Sequence, residues 1–358
     1  VTSAGTRELA GWDGWLAQLL GVESSAIRLK LRAALAHQSN RLYDLWQGTE
    51  HLILKEYLRP AEFSTGPKFE FQALTHTRPL DIAPEPVYWT EQHDAHRRPV
   101  VIYRYMDGKM WDRTKPGPTE LSKLLAMYLS LHDMQWPEMW LSRGITQAKQ
   151  LREIIVPRAK STLTLYQHWV TDHFPAGQRA VDLMVTQWVS IEQACDDLVN
   201  MPEAALKFCR SDPRFANIIQ RPDGRLGMVD WEDSGLRDPA MEAADMVSHP
   251  NQEDLLGWDE WDSFLNPYLD TFARTDFGLL QRFEHYLMVF YSFYLERLIA
   301  AGLQHWRQGS LGAWRANAMD PNQRLRRYLA RALAWPKRDY QQVLAGLGDL
   351  VFFPEAYQ

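Results

Sequence analysis

Between Phe208 and Asp245 the chain reads FCRSDPRFANIIQRPDGRLGMVDWEDSGLRDPAMEAAD, and the punctuation of this stretch leaves little freedom in how it folds. The apolar pair Ile218-Ile219 precedes Arg221-Pro222-Asp223-Gly224, a tight-turn sequence, and Leu226-Gly227-Met228-Val229 follows it. A strand, a turn and a returning strand are therefore predicted. The hairpin carries Asp230 back beside Asn217, and Asp212 stands five residues before Asn217. Two carboxylates and an amide are thus expected to meet at one end of a short segment.

Those residue types suit one chemistry. Mg²⁺ prefers hard oxygen donors, which the Asn217 carbonyl and the Asp230 carboxylate supply, while a separate carboxylate, Asp212, can orient a hydroxyl and accept its proton. Phosphoryl transfer needs both functions, and the Asp-to-Asn spacing followed by an Asp on the next hairpin is that of a protein-kinase catalytic loop. Taken singly, each residue has a plainer reading: Asp212 as a turn former before Pro213, Asn217 as a loop residue, Asp230 as a strand-end cap.

The stretch resembles the aminoglycoside phosphotransferase and choline kinase family, which carries His-Gly-Asp, four residues, Asn, and then Asp-Trp or Asp-Phe on the following hairpin. Here the match is Asp212, Asn217 and Val229-Asp230-Trp231-Glu232, continued by Gly235-Leu236-Arg237-Asp238-Pro239, similar to the family's Gly-x-x-Asp-Pro turn, and a helix with Glu242 and Asp245. Arg210-Ser211 replaces the His-Gly. The resemblance implies an α+β, protein-kinase-like two-lobed fold with a small antiparallel-sheet N-lobe and a large, mainly helical C-lobe. It also implies Asp212 as catalytic base and Asn217 and Asp230 as metal ligands. If the hairpin forms as read, Glu232 and Asp233 face the cleft and bind an amine or hydroxyl of the acceptor; read singly they are equally solvated loop charges.

An upstream nucleotide lobe is legible as well. Gln38 to Trp46 alternates, Gln47-Gly48-Thr49 turns, and His51 to Leu58 reads as a returning strand that presents Lys55. In kinases such a lysine contacts the nucleotide phosphates and is held by a Glu from the next helix. Glu70, in Lys68 to Leu74, resembles the family's Glu-x-x-Ala-Leu signature. Alone, Lys55 reads as a solvated edge lysine and Glu70 as a surface helix residue. Gln38-Ser39-Asn40 stands where a glycine-rich loop is absent, and Ser39 and Asn40 would meet phosphate oxygens. Pro84 to Trp89 and Arg98 to Met106 read as further strands ending at the turn Asp107-Gly108, with backbone around Arg104, Tyr105 and Met106 expected to bind the base.

Helices are expected over Arg7 to Leu20 and Ser24 to Leu35, as a cap within 1–36, then over Thr119 to His132 with Thr119 as N-cap, Ile145 to Thr171, Gly177 to Val199, and several more from Pro239 to Leu347. His132 reads as a buried core residue. An N-terminal nucleotide-binding lobe over 1–105 and a C-terminal lobe over 106–358 follow. With 358 residues and 46% hydrophobic content, sizeable cores are available.

The net charge of −6 and the absence of basic runs point away from nucleic acid. Two cysteines and no zinc-spaced cluster suit a reducing cytosol, and the chain as given begins without a signal-peptide pattern. Tyr286 to Leu303 reads as a buried helix rather than a membrane span. Fifteen Trp and fourteen Tyr offer stacking or cation–π surfaces for a sugar or quaternary ammonium, against a reading as core packing.

The expected activity is an ATP- or GTP- and Mg²⁺-dependent transfer of a phosphoryl group to a hydroxyl of an aminoglycoside-, sugar- or amino-alcohol-like acceptor, by a cytoplasmic monomer or homodimer with neither nucleic-acid nor membrane partners. The alternatives are a catalytically weak nucleotide-binding pseudokinase and a non-nucleotide helical binding protein.

Overall fold

The computed structural model describes residues 12–32, 40–58, 66–91, 98–111, 114–137, 147–253, 255–316, 320–334 and 339–354. Contacts group the chain into two units, one of residues 1–136 with 210–235 and the other of 137–209 with 236–358.

In the first unit, α1 (Trp12–Leu20) leads to β1 (Ile27–Leu31), β2 (Asn40–Gln47) and β3 (Glu50–Tyr57). Next come α2 (Gly66–Thr77), β4 (Pro86–Thr90), β5 (Val100–Arg104), β6 (Lys109–Met110) and α3 (Pro118–Asp133). The first five strands form one sheet in the order β1-β2-β3-β5-β4, antiparallel throughout. Gly48, at φ +59° in the β2–β3 turn, supplies the left-handed residue that a short hairpin requires.

Alternation sorts the sheet into two faces. Tyr43, Leu45, Leu52, Leu54, Val100 and Ile102 turn one way and pack against Trp12 and Leu16 of α1. Lys55, pairing across to Leu42 and Val101, belongs to the opposite face.

The second unit opens with α4 (Gln147–His173), α5 (Gln178–Asn200) and the short β7 (Lys207–Cys209). The chain then re-enters the first unit with β8 (Ile218–Gln220) and β9 (Leu226–Met228), which join β6 in a three-stranded sheet. Ile219 lies opposite Gly227, the hairpin predicted from Pro222-Asp223-Gly224. At Gly227 the hairpin passes close to Met106: a Cβ there would sit 2.2 Å from Met106 Sδ and displace that side chain.

Beyond it lie β10 (Gly235–Arg237), paired with β7, then α6 (Pro239–Ser248), α7 (Pro250–Glu253), α8 (Asp262–Ala273), α9 (Leu279–Arg307), α10 (Leu311–Ala316), α11 (Pro321–Ala334) and α12 (Tyr340–Gly346). Asp238 caps α6 by accepting from the Ala240 N–H at 2.9 Å, and a buried ion pair of 2.6 Å ties it to Arg282 of α9.

Helix α9 is the spine of this unit and buries residues on nearly every side, among them Phe283, Tyr286, Tyr291 and Tyr294. It is the one helix among the described residues long and apolar enough to cross a membrane, and most of its apolar stretch is buried within the protein.

Three expectations change. In place of the helix expected over Ser24 to Leu35, the described residues form a 3₁₀ turn at Ser24–Ala26 that runs into β1, and residues 33–35 lie outside the described residues. Ile27, Leu29 and Leu31 alternate with Arg28 and Lys30, and pairing with β2 favours that period of two. The cap of α3 is Gly117 rather than Thr119, since Pro118 takes the first helical position and the Glu120 carboxylate accepts the Gly117 N–H at 3.1 Å. The unit boundary does not follow chain order at 105, because residues 106–136 and 210–235 make their contacts with the sheet-bearing unit, for example Met228 N–H to Ile82 O at 2.6 Å. Residues 1–11 and 33–39, holding part of the expected cap and all of Ser39, lie outside the described residues.

Candidate active site

Strand β3 delivers Lys55 almost fully buried, and α2 delivers Glu70, 1% exposed. The Lys55 ammonium donates to Glu70 Oε2 at 2.8 Å and to Asp230 Oδ1 at 2.6 Å, and lies 3.3 Å from Glu232. Burial alone would strip its proton, but the carboxylates of Asp230, Glu70 and Glu232 outweigh that and hold it protonated well above the ordinary lysine range. Glu70 also accepts from the Tyr57 hydroxyl and from the Trp231 N–H. Its pKa is raised by burial, against the attraction of Lys55 and with the repulsion of Asp230 and Glu232. Asp230 is driven down despite burial, because Lys55, Arg214 and Arg210 surround it with positive charge.

The loop before β8 holds the second half of the constellation. Asn217 Nδ2 donates to Asp212 Oδ2 at 3.0 Å, and the Asn217 carbonyl accepts the Val229 N–H at 3.0 Å, stitching the loop to the hairpin. Arg214 donates through Nε to Asp212 at 2.8 Å and through Nη2 at 2.6 Å, and the same Nη2 lies 3.4 Å from Asp230 Oδ2. Arg210 is wholly buried and donates to the Val229 carbonyl at 2.8 Å and the Asp230 carbonyl at 3.3 Å. Ser211 and Asp230 both adopt left-handed backbone, at φ +64° and +65°.

The sequence-predicted residues Lys55, Glu70, Asp212, Asn217, Asp230 and Glu232 are therefore linked by hydrogen bonds or ion pairs. Asn40 joins them through Nδ2 to Glu232 Oε2 at 2.8 Å, so Glu232 is engaged with the lysine and with the first residue of β2. Asp233 presents more of its surface to solvent. Lost hydration, with repulsion from Glu232, Asp230 and Asp212, pushes its carboxyl up to about 6.

In the expected base-binding segment, Arg104 gives its N–H to Glu85 O at 2.8 Å and Tyr105 gives its N–H to His51 O at 3.0 Å. Two of the three backbone donors expected there are thus committed, and the Arg104 side chain pairs with Glu85 and Glu50. Sequence reasoning missed Arg214, the reach of Arg210 and the Tyr57 hydroxyl. A cation two residues after Asp212 was the available signal.

His132 is buried as expected. The aromatic clusters of the second unit are core: Trp261, Tyr268, Tyr286, Tyr291 and Tyr294 are all buried, although Trp258 is exposed. That unit also holds a cavity of about 40 Å³ between α4, α5 and α9, walled mainly by apolar side chains with Glu296 and Gln187. This is room for a few water molecules.

A buried lysine–glutamate pair beneath an antiparallel sheet, met by an aspartate from the turn after a hairpin, is the arrangement of a protein-kinase-like fold, and solved structures agree. The fold is similar to that of spectinomycin phosphotransferase APH(9)-Ia in complex with ADP and spectinomycin, with TM-score 0.57 and 13% identity, covering 90% of this chain and 97% of that one. It is similar also to choline kinase LicA from Streptococcus pneumoniae (TM-score 0.53, 16% identity, 94% and 98% covered) and to choline kinase from Cryptosporidium parvum (0.51, 15%, 96% and 97%).

Residues 30–286, well over half the chain, match the model of the phosphotransferase enzyme family, and the protein belongs to that family. The resemblance read from residues 208–245 is borne out at this level. No curated protein matches the chain in sequence.

Proposed function

We propose that this protein is an ATP- or GTP- and Mg²⁺-dependent O-phosphotransferase that moves the γ-phosphoryl group to a hydroxyl of a small aminoglycoside-, sugar- or amino-alcohol-like acceptor. The observation that carries the reading is the buried cluster in which Lys55 is held at once by Glu70, Asp230 and Glu232. A buried ammonium kept charged by three carboxylates is costly to build and suits a site that receives phosphate oxygens. Neighbours solved with ADP and spectinomycin, or named as choline kinases, support nucleotide use and a small polar acceptor.

In this reading Lys55 pairs with phosphate oxygens and Glu70 fixes its direction. Asn40, the first residue of β2, meets the phosphates, and Ser39 keeps the phosphate-binding role expected from the sequence. Met106 offers backbone to the base, since Arg104 and Tyr105 spend their N–H groups within the sheet. The oxygen donors fit a hard divalent ion, with those of Glu70, Asp230 and Glu232 within 4.8 Å of one another. Asn217 and Asp230 would hold Mg²⁺, with Glu232 close to Asp230, and the ion when bound neutralises phosphate charge. Asp212 accepts the acceptor's hydroxyl proton, and Asp233 meets an amine or hydroxyl of the acceptor.

The replacement of the family's His by Arg210 leaves the hairpin supported, because Arg210 itself donates to the carbonyls of Val229 and Asp230. This favours an active enzyme over a pseudokinase. Two buried free thiols suit a reducing cytoplasm.

Release of the nucleoside diphosphate, measured across a panel of hydroxyl acceptors, tests the proposal. Turnover that requires Mg²⁺ and drops on the order of 10²-fold or more in Asp212→Asn is expected. The reading is overturned if neither Mg-ATP nor Mg-GTP raises the thermal midpoint, since a ligand of the native state must stabilise it.

A further inference from the structure

Two arginines four positions apart in the catalytic-type loop have different environments. Arg210 is fully buried and spent on backbone carbonyls, whereas the Arg214 side chain is 38% exposed and lies on carboxylates. Its backbone is fixed from both sides: the Arg214 N–H donates to Asp212 O at 2.8 Å, and its carbonyl accepts the Asn217 N–H at 2.9 Å. A closed turn therefore aims the guanidinium, which bridges Asp212 and Asp230. In the proposed reaction these two carboxylates flank the path of the transferred group, with the attacking hydroxyl at one and the phosphate end at the other.

We propose that Arg214 is a further catalytic residue, whose guanidinium leaves the Asp212–Asp230 gap to take the oxygens of the nucleotide's γ-phosphoryl group during transfer. This inference rests on the phosphotransferase reading above. A planar fork of N–H donors matches two phosphate oxygens at once, and charge spread over those oxygens in the transition state is where such a donor gains most.

Four carboxylates (Glu70, Asp212, Asp230 and Glu232) stand in the linked cluster with three cations, Lys55, Arg210 and Arg214. Of these three, Lys55 and Arg210 are buried, and Arg214 alone keeps an exposed side chain able to change partner.

Moving Arg214 onto phosphate also removes its two donors from Asp212 Oδ2 and leaves only Asn217 on that oxygen among the side-chain donors described above, so arrival of the nucleotide raises the basicity of the base. The acceptor oxygen then bonds to the γ-phosphorus, the bond from that phosphorus to the β,γ-bridging oxygen breaks, its electron pair departs with the nucleoside diphosphate, and the hydroxyl proton passes to Asp212.

The test compares affinities for ATP and ADP, each with Mg²⁺, by calorimetry on the full chain, for wild type, Arg214→Met and Arg214→Lys, together with steady-state kinetics. Arg214→Met should weaken ATP binding at least fivefold while ADP binding stays within twofold. It should lower kcat on the order of 10²–10³-fold with acceptor KM little changed. Arg214→Lys should recover part of kcat and of the ATP preference, which a mere pin for the loop would not require. Circular dichroism and thermal melting confirm that each variant is folded, and if Arg214→Met is not, Arg214→Lys alone must still narrow the ATP-to-ADP ratio. An unchanged ratio with kcat within threefold of wild type overturns the role of Arg214 and leaves the enzyme reading intact. Wild type that binds neither nucleotide overturns both.

Discussion

Ser211 occupies a backbone conformation that costs an L-residue about 1–2 kcal/mol, at φ +64°. The family pattern has glycine at this position, and the left-handed φ gives the physical reason. Ser211→Gly is therefore expected to stabilise the protein by about 0.5–1 kcal/mol, less than the full relief because glycine also frees the unfolded chain. Urea denaturation measures this, and a loss of stability would mean that the serine hydroxyl contributes more than the strain removes. Asp230 bears similar strain but cannot be relieved in the same way, since its carboxylate holds Lys55. The departure at Arg210-Ser211 was visible in the sequence, but its meaning was not. Spacing along a chain does not reveal which carbonyls a long side chain will reach, and the same blindness hid Arg214.

Helices and strands were read best where their signals were long. The β8–β9 hairpin and the helices α3, α4 and α5 lie close to where periodicity and turn residues put them. β1 was misread because five residues are too few to separate a period of two from a helical one, and its decisive support is the pairing with β2. In α9, Gly302 has a role that no periodicity discloses. A Cβ there would meet the Phe353 ring at 2.2 Å, and that ring also packs against Trp169, Tyr166 and Trp314. Gly302→Ala should therefore destabilise by about 1–3 kcal/mol although alanine is the better helix former, because displacing a fully buried ring outweighs the propensity gain of about 1 kcal/mol. A rise in the thermal midpoint would refute this packing account.

Both cysteines are buried, and burial pushes Cys195 up to about 12 and Cys209 well above the ordinary thiol range. A raised pKa means little thiolate at neutral pH and more only as pH climbs toward those values. Neither thiol should react with a disulfide reagent at pH 8 in the native protein, and both should react in denaturant. Rapid native labelling of either would contradict the burial.

The division of the chain into two units was the least legible property, because residues 210–235 follow the first helices of one unit yet belong with the sheet of the other. Residues that meet only after folding leave no local mark on the sequence. Lys55 and Asp230 lie 175 positions apart. At a synthesis rate of roughly 5–20 residues per second, the ribosome takes on the order of 10–30 s to make the second partner after the first has emerged. Of the three carboxylates that hold Lys55 in the folded protein, only Glu70, fifteen positions on, is present through that interval. The sheet therefore spends its first moments without its closing ion pair, a window in which a chaperone, or a silent codon change that alters translation speed, would bear on how much active protein is made.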